Sequence, residues 1–318
     1  MLQKWNKEVF GNCQTKINSL LQPIKEIQQG PPTANSGAIE DALQTELSEW
    51  LLRSETLWRQ KSRELWLKLG DRNTKFFHLS TIIRCKRNNI DAIRDEQGAW
   101  ITETEAIRSL FLNSFKNIFK QEEVNFPTHL EHLVLPCIME DENAELSRIP
   151  TPEEIKATLF NMQDLKAPGP DGYPVIFYKQ LWPTVGDDVI KAVNSFFRIK
   201  SMPREVNNSL IVLIPKISNP TSVQHFRPIS LGNVVYKIIS KLLVAKLRPH
   251  LDKIISPTQS AFIPNRWIAE NQVIVQEMFR SFKTRKTKLD LQKAYDRVSW
   301  DFIHTVLLHL GFNEAFSS

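Results

Sequence analysis

Lys288-Leu289-Asp290-Leu291-Gln292-Lys293-Ala294-Tyr295-Asp296-Arg297 is the stretch on which the reading of this 318-residue chain turns. Lys288 to Leu291 reads as a short strand, and Asp290 sits inside its apolar run. An ionised carboxylate buried there is costly unless a cation compensates it. A divalent metal would do so, because a hard cation prefers carboxylate oxygen. The alternative is an Asp at a strand end, pointing to water.

Upstream of that stretch, helical and strand patterns are interleaved without strict alternation. Ser209-Leu210-Ile211-Val212-Leu213-Ile214-Pro215 is a short apolar run rich in branched residues and reads as a buried strand, with Phe226 to Leu231 as its return strand or a loop. Helices are expected over Val175 to Leu181, Asp187 to Phe197, Asn233 to Leu247 (stopped by Pro249), Trp267 to Phe282 and Trp300 to Leu310. Thr151-Pro152-Glu153-Glu154 is a capping box that starts another, with Ile155, Leu159 and Met162 on one face. Such a mixture predicts an α+β fold and no doubly wound sheet.

Further out, the chain reads as a helical N-terminal extension over 1–119 and an acidic linker over 120–148. The extension carries one helix to about Ile27, kinked or ended by Pro23, and a second from Ile39 to Leu69. A basic segment comes next, Arg72 to His78 and Arg84 to Asn89, with Phe76 and Phe77 inside it. It suits a nucleic-acid backbone with bases stacked nearby, or else is a solvated basic turn whose phenylalanines belong to the core. Ile90 to Ile101 resembles a hairpin turning at Asp95-Glu96-Gln97-Gly98, and Thr104 to Phe119 an amphipathic helix.

The bulk numbers exclude several classes. Hydrophobic residues are 42% and charged residues 24% of the chain, the balance of a globular protein and too apolar for a disordered one. No apolar run is long enough to span a bilayer, and Met1 to Lys7 has no apolar signal core. Cys13, Cys85 and Cys137 lie far apart, form no metal-ligand spacing and are odd in number, which fits a reducing compartment. A formal charge of +6 and a pI near 9.1 suit either a polyanion partner or a mildly basic surface.

The stretch Lys288-Leu289-Asp290-Leu291 followed by Lys293-Ala294-Tyr295-Asp296 resembles the first palm motif of LINE-type (non-LTR retrotransposon) reverse transcriptases. Upstream, in that family's order, stand Ala167-Pro168-Gly169-Pro170-Asp171-Gly172, Leu213-Ile214-Pro215-Lys216, Phe226-Arg227-Pro228-Ile229-Ser230-Leu231 and Gln259-Ser260-Ala261-Phe262-Ile263-Pro264-Asn265-Arg266. Lys68 to His78 is similar to the linker that precedes this domain in plant elements. The resemblance implies an incomplete right-hand polymerase over 149–318, consisting of fingers and part of the palm. It implies RNA template, DNA primer and dNTP as partners, with nuclear residence.

The same resemblance implies roles. Asp290 would hold Mg²⁺, helped by the Leu291 carbonyl, in two-metal chemistry. Lys216 and Arg227 would contact the incoming triphosphate, where a Lys point charge and an Arg fork both suit phosphate oxygens. Arg227 as a structural salt bridge is the alternative. Tyr295 would exclude a ribose 2′-hydroxyl, or else is a plain core aromatic. Gly169, Asp171, Gln259 and Arg266 would sit near the template.

This sequence also departs from the family pattern. An aromatic-x-Asp-Asp hairpin and the thumb are absent, and Lys283 to Lys288 enters the Asp290 strand by a shortened route. Gly186-Asp187-Asp188 does not replace that hairpin: it precedes the first motif, and acidic residues there read as a helix N-terminus. The expectation is therefore a fragment inactive on its own, from a decayed element or an imperfect gene model. A non-catalytic RNA- or DNA-binding remnant, and a product with no function, are the competing readings.

Overall fold

The computed structural model describes residues 11–31, 35–62, 74–120, 134–257, 259–261, 263–267, 269 and 298–317. The chain forms two compact units, Met1–Ile90 and Asp91–Ser318. Its described residues are mostly helical, with two antiparallel hairpins, an α+β arrangement.

In the first unit, α1 (Cys13–Gln29), α2 (Ser36–Ser62) and α3 (Thr74–Asn88) succeed one another. The Asn12 side chain caps α1 by accepting a hydrogen bond from Gln14 N at 2.8 Å. Pro23 neither ends α1 nor confines it to its first turns, contrary to the sequence expectation. Ile17, Leu20 and Ile24 are buried on one face, and their burial offsets the single backbone bond that proline removes. Cys13, Ile17, Leu20 and Trp50 form the core of this unit. The basic segment is helical from Thr74 onward, and Phe77 is buried in it. Arg72 and Asn73 lie outside the described residues.

The second unit opens with the expected hairpin. β1 (Ile93–Arg94) pairs with β2 (Trp100–Ile101) in the register Ile93↔Ile101 and Arg94↔Trp100. The turn forms because the Asp95 carboxylate accepts from Ala99 N at 2.8 Å and Gly98 takes φ +87°. Helix α4 (Thr104–Phe119) buries Ile107, Phe111 and Phe115, and the Phe111 ring meets Phe226 edge-on at 5.2 Å. Arg94 N donates to Thr221 O at 2.8 Å. These ties join the hairpin and α4 to the remainder of the second unit. The division between units therefore falls at Ile90/Asp91, whereas the sequence grouped both elements with the extension ending at 119.

Within the range expected as an acidic linker, α5 (Glu140–Ser147) forms. It meets the end of the described chain. Cys137 N and Ile138 N both donate to Leu310 O, and Asn143 bonds Gly311 O and Asn313 N. Ile138, Leu146 and Phe312 close a small core there, with α12 and α13 at its edge. Those two helices are Trp300–His309 and Glu314–Ser317.

The main core is built on α6 (Pro152–Phe160), α7 (Val175–Gln180), α8 (Trp182–Ile199) and α10 (Val234–Leu247), with the short α9 (Arg204–Asn207) between α8 and the strands. The capping box forms as read: Glu154 N donates to Thr151 Oγ1 at 3.3 Å, and Thr151 N to Glu154 Oε2 at 2.7 Å. Ile155, Leu159, Met162, Val193 and Ile238 pack together in the interior. Helix α8 starts at Trp182, five residues before the place read from the sequence. Asp187 and Asp188 are therefore exposed acids inside a helix, with Lys191 3.7 Å from Asp188.

β3 (Ser209–Pro215) and β4 (Phe226–Gly232) pair antiparallel in the register Ile214↔Arg227 through Ser209↔Gly232. The strand itself is as expected, but its burial is not. Leu210 is 52% exposed and Ile211 45%. An apolar branched run identifies a strand, whereas burial depends on what covers it, and among the described residues these two strands pair only with each other. Beyond α10, a 3₁₀ turn (Arg248–His250) leads into α11 (Leu251–Ile254). Among the described residues no helix is long and apolar enough to cross a membrane.

Glu142 ties α5 to this last segment. It accepts hydrogen bonds from Lys253 and from Met139 N at 3.0 Å, and its Oε1 lies 3.4 Å from His250 Nδ1. The bond from Lys253 is the main cause that holds its carboxyl down at about 2. A folded value below the unfolded one gives stability present above the unfolded value and lost as pH falls toward the folded value. Urea unfolding between pH 6 and pH 2 should show that loss below about pH 4.5. Glu142→Gln should flatten it, and an unchanged profile in the variant would contradict this role.

Candidate functional site: the β3–β4 hairpin and its clamp

The antiparallel register decides which side chains share a face. Lys216 continues the ladder past Pro215, its N donating to His225 O at 2.8 Å. Ile214 and Lys216 alternate to the same face, and Arg227 lies opposite Ile214. Lys216 and Arg227 are thus diagonal neighbours on one face, their Cβ atoms ~7–8 Å apart by ladder geometry. Both are exposed. Lys216 Nζ donates to Gln224 O at 2.8 Å, which holds it over the hairpin tip. Among the described residues Arg227 makes no ion pair, which leaves its fork open and disfavours the structural salt bridge.

The Pro168-Gly169-Pro170-Asp171-Gly172 loop sits at the other end of the hairpin. Five strand residues separate Arg227 from Gly232, ~17 Å of extended chain. Gly172 N bonds Gly169 O at 3.1 Å, Gly172 takes φ +77°, and Asp171 Oδ1 accepts from Tyr173 N at 3.1 Å. A Cβ on Gly169 would come 2.3 Å from Asn233 Oδ1 and 2.5 Å from Gly232 C, so only glycine fits.

Two residues that the sequence reading did not single out hold this loop. Asn233, 6% exposed, accepts from Asp171 N at 3.2 Å through Oδ1 and donates to Glu205 O at 3.1 Å through Nδ2. Lys237, one turn on, donates to Ala167 O at 2.8 Å, and burial pushes its ammonium below the ordinary lysine range. Burial first, and the Asp171 charge second, push the neighbouring Tyr178 phenol up to about 12. The one signal in the sequence was an Asn at the start of a helix. That pattern predicts a cap, yet the Asn233 side chain makes no capping bond and reaches across to the loop instead.

Gln259 and Arg266 are brought together, though not in the way expected of template ligands. The Arg266 guanidinium donates to Ser256 O at 2.5 Å, Gln259 O at 2.8 Å, Ile255 O at 3.1 Å and Asp252 Oδ1 at 3.2 Å. Its side chain is 16% exposed and its donors are spent on closing its own loop. Gln259 Nε2 bonds Ala261 O at 3.3 Å. Asp290, Leu291 and Tyr295, the strand at Lys288 to Leu291 and most of the helix expected over Trp267 to Phe282 lie outside the described residues. Among the described residues no three His, Cys, Asp or Glu side chains are grouped to hold a metal ion. A cavity of about 650 Å³ opens between α5, α6 and α10, lined by Glu154, Ala157, Leu242 and Lys246 among others. None of the expected site residues lines it.

Residues 214–316, which begin inside β3, match the family described as reverse transcriptase (RNA-dependent DNA polymerase), a family of nucleotidyltransferases that use a divalent metal. The chain is 27% identical over 335 residues to the "Transposon TX1 uncharacterized 149 kDa protein" of Xenopus laevis, covering 99% of this chain and 25% of that protein. It is 25% identical over 223 residues, 66% of this chain and 20% of the relative, to the "Retrovirus-related Pol polyprotein from type-2 retrotransposable element R2DM" of Drosophila melanogaster. A type-1 R2 element polyprotein of Nasonia vitripennis is 28% identical over 138 residues, 42% of this chain and 13% of its own length. The chain thus spans a quarter or less of the curated relatives it matches.

The clamp predicts a sharp steric response. Gly169→Ala should lower stability to urea by about 1–3 kcal/mol, because the contacts a methyl group would meet include backbone atoms that cannot swing away. Asn233→Ala should cost less in that background than in the wild type, since there it also removes the nearest clashing atom. Strict additivity of the two changes would speak against a shared contact.

Proposed function

We propose that this chain, whose residues 214–316 match the reverse transcriptase family, supplies the fingers and the opening of the palm of an RNA-directed DNA polymerase of the LINE type. The observation that carries this reading is the hairpin register, which sets Lys216 and Arg227 side by side on one exposed face. Two cations at that spacing, one a point charge and one a planar fork, suit the oxygens of a nucleoside triphosphate. Positioning and electrostatic stabilisation supply most of the catalysis in phosphoryl chemistry, so where these cations sit matters more than any nucleophile of the protein.

The remaining roles keep to the family pattern. Asp290, with the Leu291 carbonyl, would hold Mg²⁺, which would stabilise the attacking primer hydroxyl and the leaving pyrophosphate. Tyr295 would select deoxynucleotides by crowding the 2′ position. Gly169 and Asp171 act through the shape of their loop, which is fixed by Asn233 and Lys237 and leaves Pro170 and Gly172 exposed toward a template. Arg266 maintains the Asp252 to Arg266 loop and presents Gln259. In this reading residues 149–318 are the polymerase portion, and the hairpin, α4 and α5 ahead of it belong to the same compact unit, preceded by the helical unit that ends at Ile90.

Equilibrium binding of a fluorescent deoxynucleoside triphosphate to the whole chain tests the central point. Arg227→Ala and Lys216→Ala should each weaken binding by about tenfold or more, the worth of one charge-assisted bond. Lys191→Ala, on the far-exposed flank of α8, should leave it unchanged. Equal affinity in all three variants would remove the basis for the assignment.

A further inference from the structure

Trp100 is 52% exposed, an uncommon state for so large an aromatic on a short, well-anchored hairpin. The anchoring is firm. Its cross-strand neighbour on the ladder is Arg94, while Ile93, one residue earlier, is fully buried. The Arg94 guanidinium lies 4.7 Å from the centre of the Trp100 ring. The hairpin that carries this pair is fastened to the tip of the β3–β4 hairpin, through Arg94 N to Thr221 O at 2.8 Å. Thr221 N in turn donates to His225 Nδ1 at 3.1 Å, and His225 O accepts from Lys216 N. The stacked pair therefore sits on the same tip that carries Lys216 and Arg227.

We propose that Trp100, backed by Arg94, is a stacking platform for a base of a single-stranded nucleic acid that passes the tip on which Lys216 and Arg227 meet the incoming triphosphate. The inference rests on the polymerase reading of that tip and adds a contact from residues ahead of the matched 214–316 segment. Stacking on an indole takes any base, since every base has a flat face. A guanidinium behind the ring adds to the electrostatic attraction. The charges around Trp100 define its share of the work. Asp95 is spent on the turn, and Glu96 and Glu103 are the other acids close by in sequence. An indole flanked by acids contributes through the base face and not through the phosphates.

Fluorescence anisotropy of labelled twelve-nucleotide oligo(rA) and oligo(dA) strands with the whole chain separates these contributions. Trp100→Ala should weaken binding about tenfold with the salt slope unchanged, and Trp100→Phe should keep most of the affinity. On a strand of the same length with abasic sites, wild type and Trp100→Ala should bind alike. A loss confined to oligo(rA) or to oligo(dA) assigns the platform to that strand. Wild-type affinity in Trp100→Ala, or an equal loss on the abasic strand, overturns the platform and leaves the reading of Lys216 and Arg227 standing. No binding of either strand by the wild-type chain also overturns the platform, whereas the reading of Lys216 and Arg227 stands or falls with triphosphate binding.

Discussion

The carboxamide of Asn233 sits where the β3–β4 hairpin ends, the core helix α10 begins and the Pro-Gly-Pro-Asp-Gly loop passes. Its oxygen holds the loop by Asp171 N, and its nitrogen holds the carbonyls of Glu205 and Val206, the residues just ahead of β3. A buried carboxamide with unmet bonds is expensive, so the three segments are obliged to keep their mutual distance. Lys237 repeats the constraint one turn later on Ala167. Because Gly169 touches Asn233 with no room for a methyl group, the loop approaches closely enough for these bonds to form at all.

From that junction the rest of the second unit is ordered in both directions. Toward the helices, Val234, Ile238, Ile239 and Leu242 carry α10 into the interior against α6 and α8. Toward the tip, β4 delivers Arg227 and Phe226, and Phe226 is gripped by Phe111 of α4. One end of the hairpin is thus bound into the core while the other presents cations and the Arg94–Trp100 pair to solvent. The apolar but exposed side chains of β3 lie between these ends.

The acidic segment has a role that its composition concealed. An acidic, Pro-containing stretch reads as a linker. In the structure two of its acids are paired. Glu142 meets Lys253 and His250, Glu145 shares Arg148 with Glu154, and Lys246 reaches the carbonyls that end α5. The Lys246, His250 and Lys253 partners lie about a hundred residues away in the chain, and no local pattern announces them.

Much of this protein is written in short-range sequence. The capping box at Thr151, the Asp95 to Gly98 turn and the bounds of α4 are all local, because each depends on residues within a few positions of one another. The same holds for the motif blocks from Ala167 to Arg297, which carry the family resemblance before any fold is seen. What the tertiary structure alone decided is where those blocks sit and what their side chains are free to do. It left β3 uncovered, spent Arg266 on its own loop, kept α1 intact through Pro23 and placed Lys216 beside Arg227 across a ladder. Burial, cross-strand adjacency and the occupation of a guanidinium are properties of the neighbours, and here the neighbours come from distant parts of the chain.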